Sequence, residues 1–266
     1  FIHTFDWGIE GAAYATVVSQ GLAFCYGIAH VLRRKLAPLQ VPALPSWTET
    51  KTILHLGIPS GLQMAVISAG SAAIMSVVTT FGAEVVGGFS AAQRLDSLIM
   101  LPAQALGIAV SSMAGQNIGG RNWARVAAIS RVAVVYNLAI MVAIALVLVI
   151  LAEPAIRLFI TEPEAAEFGT RYLRMVALCY PFLGINFVLN GVVRASGAMY
   201  QVLVLNIISF WVLRYPLTAL FTSWFDETGI AMGMGLSFII SSLFAYLYFR
   251  FGKWREKQLF DDPVGS

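Results

Sequence analysis

Seven stretches of the chain run apolar for about twenty residues or more: 11–32, 53–81, 85–116, 132–152, 172–193, 200–224 and 229–249. At about 1.5 Å of rise per residue, a helix of that length crosses a hydrocarbon core about 30 Å thick. None of the seven alternates with period two, so they read as helices rather than as strands of a barrel. Lipid offers backbone groups no partner and admits little else. The pattern predicts an all-α integral membrane protein with seven transmembrane helices.

The polar interruptions carry signed charge. Arg33, Arg34, Lys35 and Lys51 follow the first stretch, and Arg121, Arg125 and Arg131 follow the third. Arg194 ends the fifth, and Arg250, Lys253, Arg255 and Lys257 follow the seventh. The alternate loops hold Glu84, then Glu153, Glu162, Glu164 and Glu167, then Asp226 and Glu227, with Arg157, Arg171 and Arg174 as exceptions. Basic loops stay cytoplasmic, so the amino end is expected outside and the carboxyl end inside, in the cell (inner) membrane. The longest interruption, LAPLQVPALPSWTETKT at 36–52, contains three prolines and reads as a stiff linker. It divides the chain into a lone helix (1–36), a cytoplasmic linker (37–52), a block of six helices (53–252) and a tail (253–266). The chain opens on Phe1 with no basic n-region before the first apolar stretch, and it is expected to be part of something longer.

Composition agrees. Hydrophobic residues make up 58% and charged residues 12%, about half the charge of an ordinary soluble chain. The net charge of +3 is spread over short loops, which gives nucleic acid no patch to track. Cys25 and Cys179 sit in apolar runs and read as small core hydrophobes, and no metal-ligand spacing appears.

Ionisable groups inside a span are costly without partners and are candidates for function. Three occur: Arg94 and Asp96 in the third span and Arg214 in the sixth. Asp96 and Arg214 lie at similar depths below Glu84 and Asp226. Either they pair, or Arg94 snorkels while Asp96 accepts from neighbouring hydroxyls, and in both cases helices are held together; the other reading is that they handle a cation or proton. In the fifth span Asn186, Asn190 and Arg194 recur every four residues and share one helix face. With Gln63 of the second span, the two asparagines either bind a ligand or join helices. Pro59, Pro102, Pro181 and Pro216 predict bends, each removing a backbone hydrogen bond. The run PAQALGIAVSSMAGQNIGGRN (102–122) is apolar yet made of small residues, which predicts close approach to other helices. Ala105, Ala109 and Ser112 fall on one face of it, and Gly107, Ser111 and Gly115 on another. No lysine lies in the last span, and no Ser–His dyad, HExxH or P-loop is present, so no enzyme or retinal chemistry is indicated.

Several of these stretches resemble the multidrug and toxic compound extrusion (MATE) family. They are GIEGAAYATVVSQ (8–20), GIPSGLQ (57–63), SAAQRLDSLIMLPAQALGIAVSSMAGQNIGGRNWARV (90–126), NGVVRASGAMY (190–200), ISFWVLRYPLTALF (208–221) and GIAMGMGLSF (229–238). The resemblance implies one helix of an amino-terminal lobe followed by a complete six-helix carboxyl-terminal lobe. It also implies antiport of an amphipathic, often cationic, compound against H⁺ or Na⁺. Acidic positions that bind the cation in NorM-type members fall at Ile67 and Leu183 here. The resemblance therefore assigns the coupling ion mainly to the missing lobe, with no other cofactor, and gives this lobe the cleft wall with Gln63, Asn186 and Asn190. The expected partners are a small amphipathic substrate, the bilayer and the missing lobe. Lipid-linked sugar flippases of the same superfamily, and a receptor or membrane scaffold, are the alternatives.

Overall fold

The computed structural model describes residues 8–34 and 46–256, and regular structure among them is helical throughout. The helices are α1 (Gly8–Arg34), α2 (Trp47–Val78), α3 (Ala83–Ile99), α4 (Leu101–Gly119), α5 (Trp123–Arg157), α6 (Pro163–Ala177), α7 (Tyr180–Ala195), α8 (Met199–Ile207), α9 (Tyr215–Phe225) and α10 (Thr228–Phe251). Among the described residues six spans are long and apolar enough to cross a membrane, or seven where the bent pair α6–α7 is taken as one span. Most of the expected linker and the residues beyond 256 lie outside the described residues. The chain divides into two compact units, Phe1–Glu49 and Thr50–Ser266.

In the first unit the side chains Val17, Leu22, Phe24 and Tyr26 of α1 are exposed. A bilayer accommodates such a surface without the cost that water imposes. Arg33 and Arg34 occupy its last turn, where the helix dipole favours cations. Cys25, expected in a core, is exposed on this helix, and Cys179 of the second unit is half-buried.

Residues 47–52, expected in the linker, form the start of α2. Ser46 begins it: the Glu49 N–H donates to Ser46 Oγ at 3.3 Å, and the Ser46 N–H donates to Glu49 Oε2 at 2.8 Å. This reciprocal capping box satisfies helix donors that would otherwise be orphaned.

The third and fifth spans are each interrupted near the middle, the third at the single residue Met100 without a sharp bend and the fifth by a break between α6 and α7. Pro102 has no N–H for the Leu98 carbonyl, and the helix restarts at Leu101 after the break at Met100. Pro181 stands in the same relation to Ala177, and α6 and α7 meet at 55° across Leu178 and Cys179. The two broken spans pack side by side through glycine. A Cβ on Gly88 would come within 2.3 Å of the Ala165 carbonyl oxygen, and one on Gly169 within 2.9 Å of the Gly88 oxygen. Further along, a Cβ on Gly191 would lie 2.5 Å from the Gly107 oxygen. Backbones that close exclude any side chain at these crossings. The face Gly107–Ser111–Gly115 therefore does approach another helix, whereas Ala105, Ala109 and Ser112, expected to do the same, are exposed.

Two cores result. The half toward the acidic loops is aromatic, built on Phe89, Phe168, Tyr172, Tyr180 and Phe238 with Met141, Leu148 and Ile230. The half toward the basic loops is aliphatic, built on Val110, Ala114, Val126, Val188, Val192 and Val202. Trp254, assigned to the tail on sequence, closes this second core: it is 1% exposed and its indole N–H donates to the Phe249 carbonyl at 2.8 Å. The folded lobe thus extends past 252.

Candidate functional site

Polar side chains gather at two levels of the second unit. The first lies at the breaks of the third and fifth spans. Tyr180, at the start of α7 and fully buried, donates its hydroxyl to Asp96 Oδ1 on α3. The two residues flank the two breaks, so this hydrogen bond bridges both discontinuities. Tyr172 of α6 stacks on Phe168 and meets Phe89 edge-on, with its hydroxyl 3.2 Å from Met234 Sδ.

Arg214 approaches the same region from the sixth span. Pro216 withdraws one backbone donor there, and residues Ile208–Arg214 widen into a π-helical turn in which the Tyr215 N–H reaches back to the Phe210 carbonyl. The extra residue per turn aims Arg214 inward. Its guanidinium lies 3.9 Å from the Phe210 ring centroid and 4.7 Å from that of Phe238, and Nε donates to Ser237 Oγ at 3.4 Å. Aromatic faces on both sides supply cation–π stabilisation to a charge kept from water. Of the arrangements open to Asp96, the described residues show it accepting from a hydroxyl, not pairing directly with Arg214. No nitrogen–oxygen contact within 4.0 Å joins them, because the tyrosine occupies the carboxylate while the rings and Ser237 occupy the guanidinium. Arg94 is not drawn into this group; it sits on the exposed face of α3.

The second level lies toward the basic loops. The i, i+4 spacing on α7 brings Asn186 and Asn190 into hydrogen bond, with Asn190 Nδ2 as donor. One turn on, Arg194 Nη2 donates to Gln63 Oε1 of α2 at 3.4 Å. The four polar residues picked from sequence therefore form one strip across α2 and α7. Asn190 Oδ1 is buried there and has no partner among the described residues. Its neighbours on α2 also touch the chain after α7: Ser60 Oγ lies 3.8 Å from Met199 Sδ, and His55 meets the Tyr200 ring at 5.0 Å.

Sequence reasoning missed three features here. Tyr180 and Tyr172 have aromatic side chains that looked like ordinary core, and only their proximity to Asp96 and Met234 gives the hydroxyls a role. Asn137 lies in the middle of the most apolar span and is fully buried, and neither of its amide atoms has a partner among the described residues. Its side chain fills the space left by Gly184, where a Cβ would sit 2.0 Å from Asn137 Oδ1. The lone polar residue in that apolar run was the only signal available.

The basic exceptions among the acidic loops are all engaged. Arg157 pairs with Glu153 at 3.0 Å, Arg171 with Glu167 at 3.3 Å and Glu227 at 3.4 Å, and Arg174 Nε donates to the Val149 carbonyl at 3.2 Å.

Known proteins resemble this arrangement. A family model described as MatE matches residues 59–220, well over half of the chain. A Bacillus subtilis protein named probable multidrug resistance protein YpnP is 55% identical over 262 residues, which cover 98% of this chain and 59% of the relative. A Thermotoga maritima protein named probable multidrug resistance protein NorM is 26% identical over 255 residues, covering 95% of this chain and 55% of that protein. The crystal structure of the Vibrio cholerae MATE transporter VcmN in its bent form matches with a TM-score of 0.87 at 23% identity, over 98% of this chain and 60% of that one. At that identity the likeness is one of fold. The chain thus spans somewhat more than half the length of the relatives it matches.

Proposed function

Because the chain belongs to the MatE family, a family of multi-pass cell-membrane transporters, we propose that it forms the carboxyl-terminal half of a multidrug efflux antiporter. In this reading α2 and the helices after it, closed by Trp254, form one six-helix lobe, α1 is the last helix of a preceding lobe, and the residues between α1 and α2 join the two. An amphipathic, often cationic, compound leaves as H⁺ or Na⁺ enters, and the coupling ion is held mainly in the preceding lobe. The basic loops lie in the cytoplasm, with the amino end of the chain outside. The loop charges support that orientation, since Lys and Arg are more numerous on the side assigned to the cytoplasm than on the opposite side.

The observation that carries the reading is the pair of broken spans packed through glycine, with a strip of amides beside them. Discontinuous helices lining polar groups near mid-membrane are the architecture by which secondary transporters bind and rock. The 55° break between α6 and α7 offers the lobe a place to bend, and the Asn186–Asn190–Arg194–Gln63 strip offers hydrogen bonds to a substrate otherwise held by apolar contact.

The strip is tested with Asn186→Leu/Asn190→Leu in the full-length protein, assayed for dye efflux from cells or vesicles. Efflux is expected to fall by about tenfold or more while insertion and expression persist, because two buried polar contacts to substrate are each worth roughly 1 kcal/mol. Unchanged efflux at normal expression would remove the strip from the substrate path.

A further inference from the structure

Toward the basic loops, α5, α7 and α10 leave between them an open groove of about 730 Å³ that plays no part in the transport reading. Its floor and walls are apolar, with Leu189 and Ile185 from α7, Val134 from α5 and Leu243 from α10. The two serines in its lining turn their hydroxyl protons back to their own helices. Ser130 Oγ donates to the Val126 carbonyl at 2.8 Å, and Ser242 Oγ to the Ile239 carbonyl at 2.8 Å. The two charged residues of the lining, Arg131 from α5 and Arg255 from the short turn after α10, both lie in the half toward the basic loops.

We infer that this groove holds one anionic phospholipid of the surrounding bilayer, with an acyl chain in the trough and the phosphate between Arg131 and Arg255. The dimensions fit that occupant. Along α10 the groove runs from Ile239 to Phe249, about 15 Å at helical rise. That is half of a hydrocarbon core about 30 Å thick, the depth of a single leaflet. Charge then sits where the headgroups of that leaflet begin, and apolar surface sits where its chains lie. The arginines are also available. Among the described residues neither has a carboxylate within 4.0 Å, unlike Arg157 and Arg171 at the opposite end. Arg255 is held in place by its neighbour: its guanidinium lies 5.2 Å from the ring of Trp254, which is itself buried and hydrogen-bonded to Phe249. Two cations at the mouth disfavour a cationic drug at this site, and an uncharged ligand would leave both unused. An anionic headgroup engages both, and Arg is well suited to phosphate oxygens. Basic pockets between membrane helices at a headgroup level recognise anionic lipid by this chemistry.

Native mass spectrometry of the full chain in detergent tests the assignment, by titration with phosphatidylglycerol or with phosphatidylcholine of identical acyl chains. One phosphatidylglycerol is expected to stay bound, roughly thirtyfold more tightly than phosphatidylcholine, at about fivefold per arginine. Arg131→Gln/Arg255→Gln should abolish that preference and leave phosphatidylcholine binding unchanged. Both sites are exposed, so folding is retained, and the wild-type comparison of the two lipids stands without the variant. Leu243→Trp, which fills the trough, should weaken both lipids, and glycerophosphoglycerol, the headgroup without chains, should not compete. Equal affinity for the two lipids, or a preference that survives loss of both arginines, overturns the inference. Displacement by the chain-free headgroup overturns the trough's part in it.

Discussion

The half of the bundle toward the acidic loops and the half toward the basic loops are joined by the same device but filled differently. Both rest on a glycine crossing between the third and fifth spans, Gly88–Gly169 in one and Gly107–Gly191 in the other. Around the first crossing the core is aromatic and takes in a carboxylate and a guanidinium, each with its own neutral partners. Around the second it is aliphatic, and the polar groups are amides along its border with α2. Helix contact is thus set by glycine, while the chemistry of each half depends on what surrounds it. Charges deep in a low-dielectric bundle require dedicated partners, whereas amides tolerate looser ones.

The largest expected effect tests the shared device. Gly191→Ala and Gly88→Ala each place a Cβ against backbone, at 2.5 Å and 2.3 Å, so two helices must separate. Each is expected to cost about 1–3 kcal/mol, or to prevent folding outright. Two controls bracket this. Gly115→Ala meets nothing nearer than the Ala195 Cβ at 4.0 Å, and Gly87→Ala meets only the tip of the Ile160 side chain and the Ala165 methyl; both should melt close to wild type in detergent. If Gly88→Ala is tolerated while Gly191→Ala is not, the halves differ in packing as well as in chemistry.

The next effect separates the halves by coupling energy. In double-mutant cycles on the purified protein, Asp96→Asn with Tyr180→Phe should be strongly non-additive, by about 1.5–3 kcal/mol, as suits a hydrogen bond to a charged group. Asp96→Asn with Arg214→Gln should couple more weakly, since no contact joins the two. In the basic half, Gln63→Leu with Arg194→Gln should couple by less than about 1 kcal/mol across its 3.4 Å contact. A larger coupling for Asp96 with Arg214 than with Tyr180 would restore the direct ion pair and demote the tyrosine bridge.

That distinction marks how far the sequence could be read. Hydropathy located most of the spans, because the demand for about twenty apolar residues leaves little freedom, but it missed the charged first half of the fifth, where α6 begins at Pro163 and not at 172. The prolines located the breaks at Met100 and Leu178–Cys179, because a missing N–H acts locally. The amide strip was legible as well, since i, i+4 spacing on one helix is a local rule. Partners on different helices were not legible. Equal depth put Asp96 and Arg214 at one level, but depth carries no azimuth. The π-helical turn that rotates Arg214 between Phe210 and Phe238 has no sequence signature beyond Pro216. Trp254 was missed for a different reason: a single aromatic residue after the last span gives no periodicity from which to infer burial.

The smallest effect concerns the start of α2, the helix that borders both halves, with Gln63 on Arg194 in one and Gly70 against Phe210 in the other. Its first turn depends on Ser46 and Glu49 rather than on packing, as Trp47 is 77% exposed. Ser46→Ala removes the hydroxyl that accepts from the Glu49 N–H and should cost about 1 kcal/mol. The loss should appear as faster amide exchange over the first turn alone, with the melting temperature nearly unchanged. Thr is the conservative rescue, since it keeps the accepting oxygen and Ser46→Thr should restore protection. If protection of the first turn survives Ser46→Ala, the capping box does not begin α2. If protection is lost as far as Gln63, the amide strip depends on where this helix starts, and the basic half is less self-contained than its core implies.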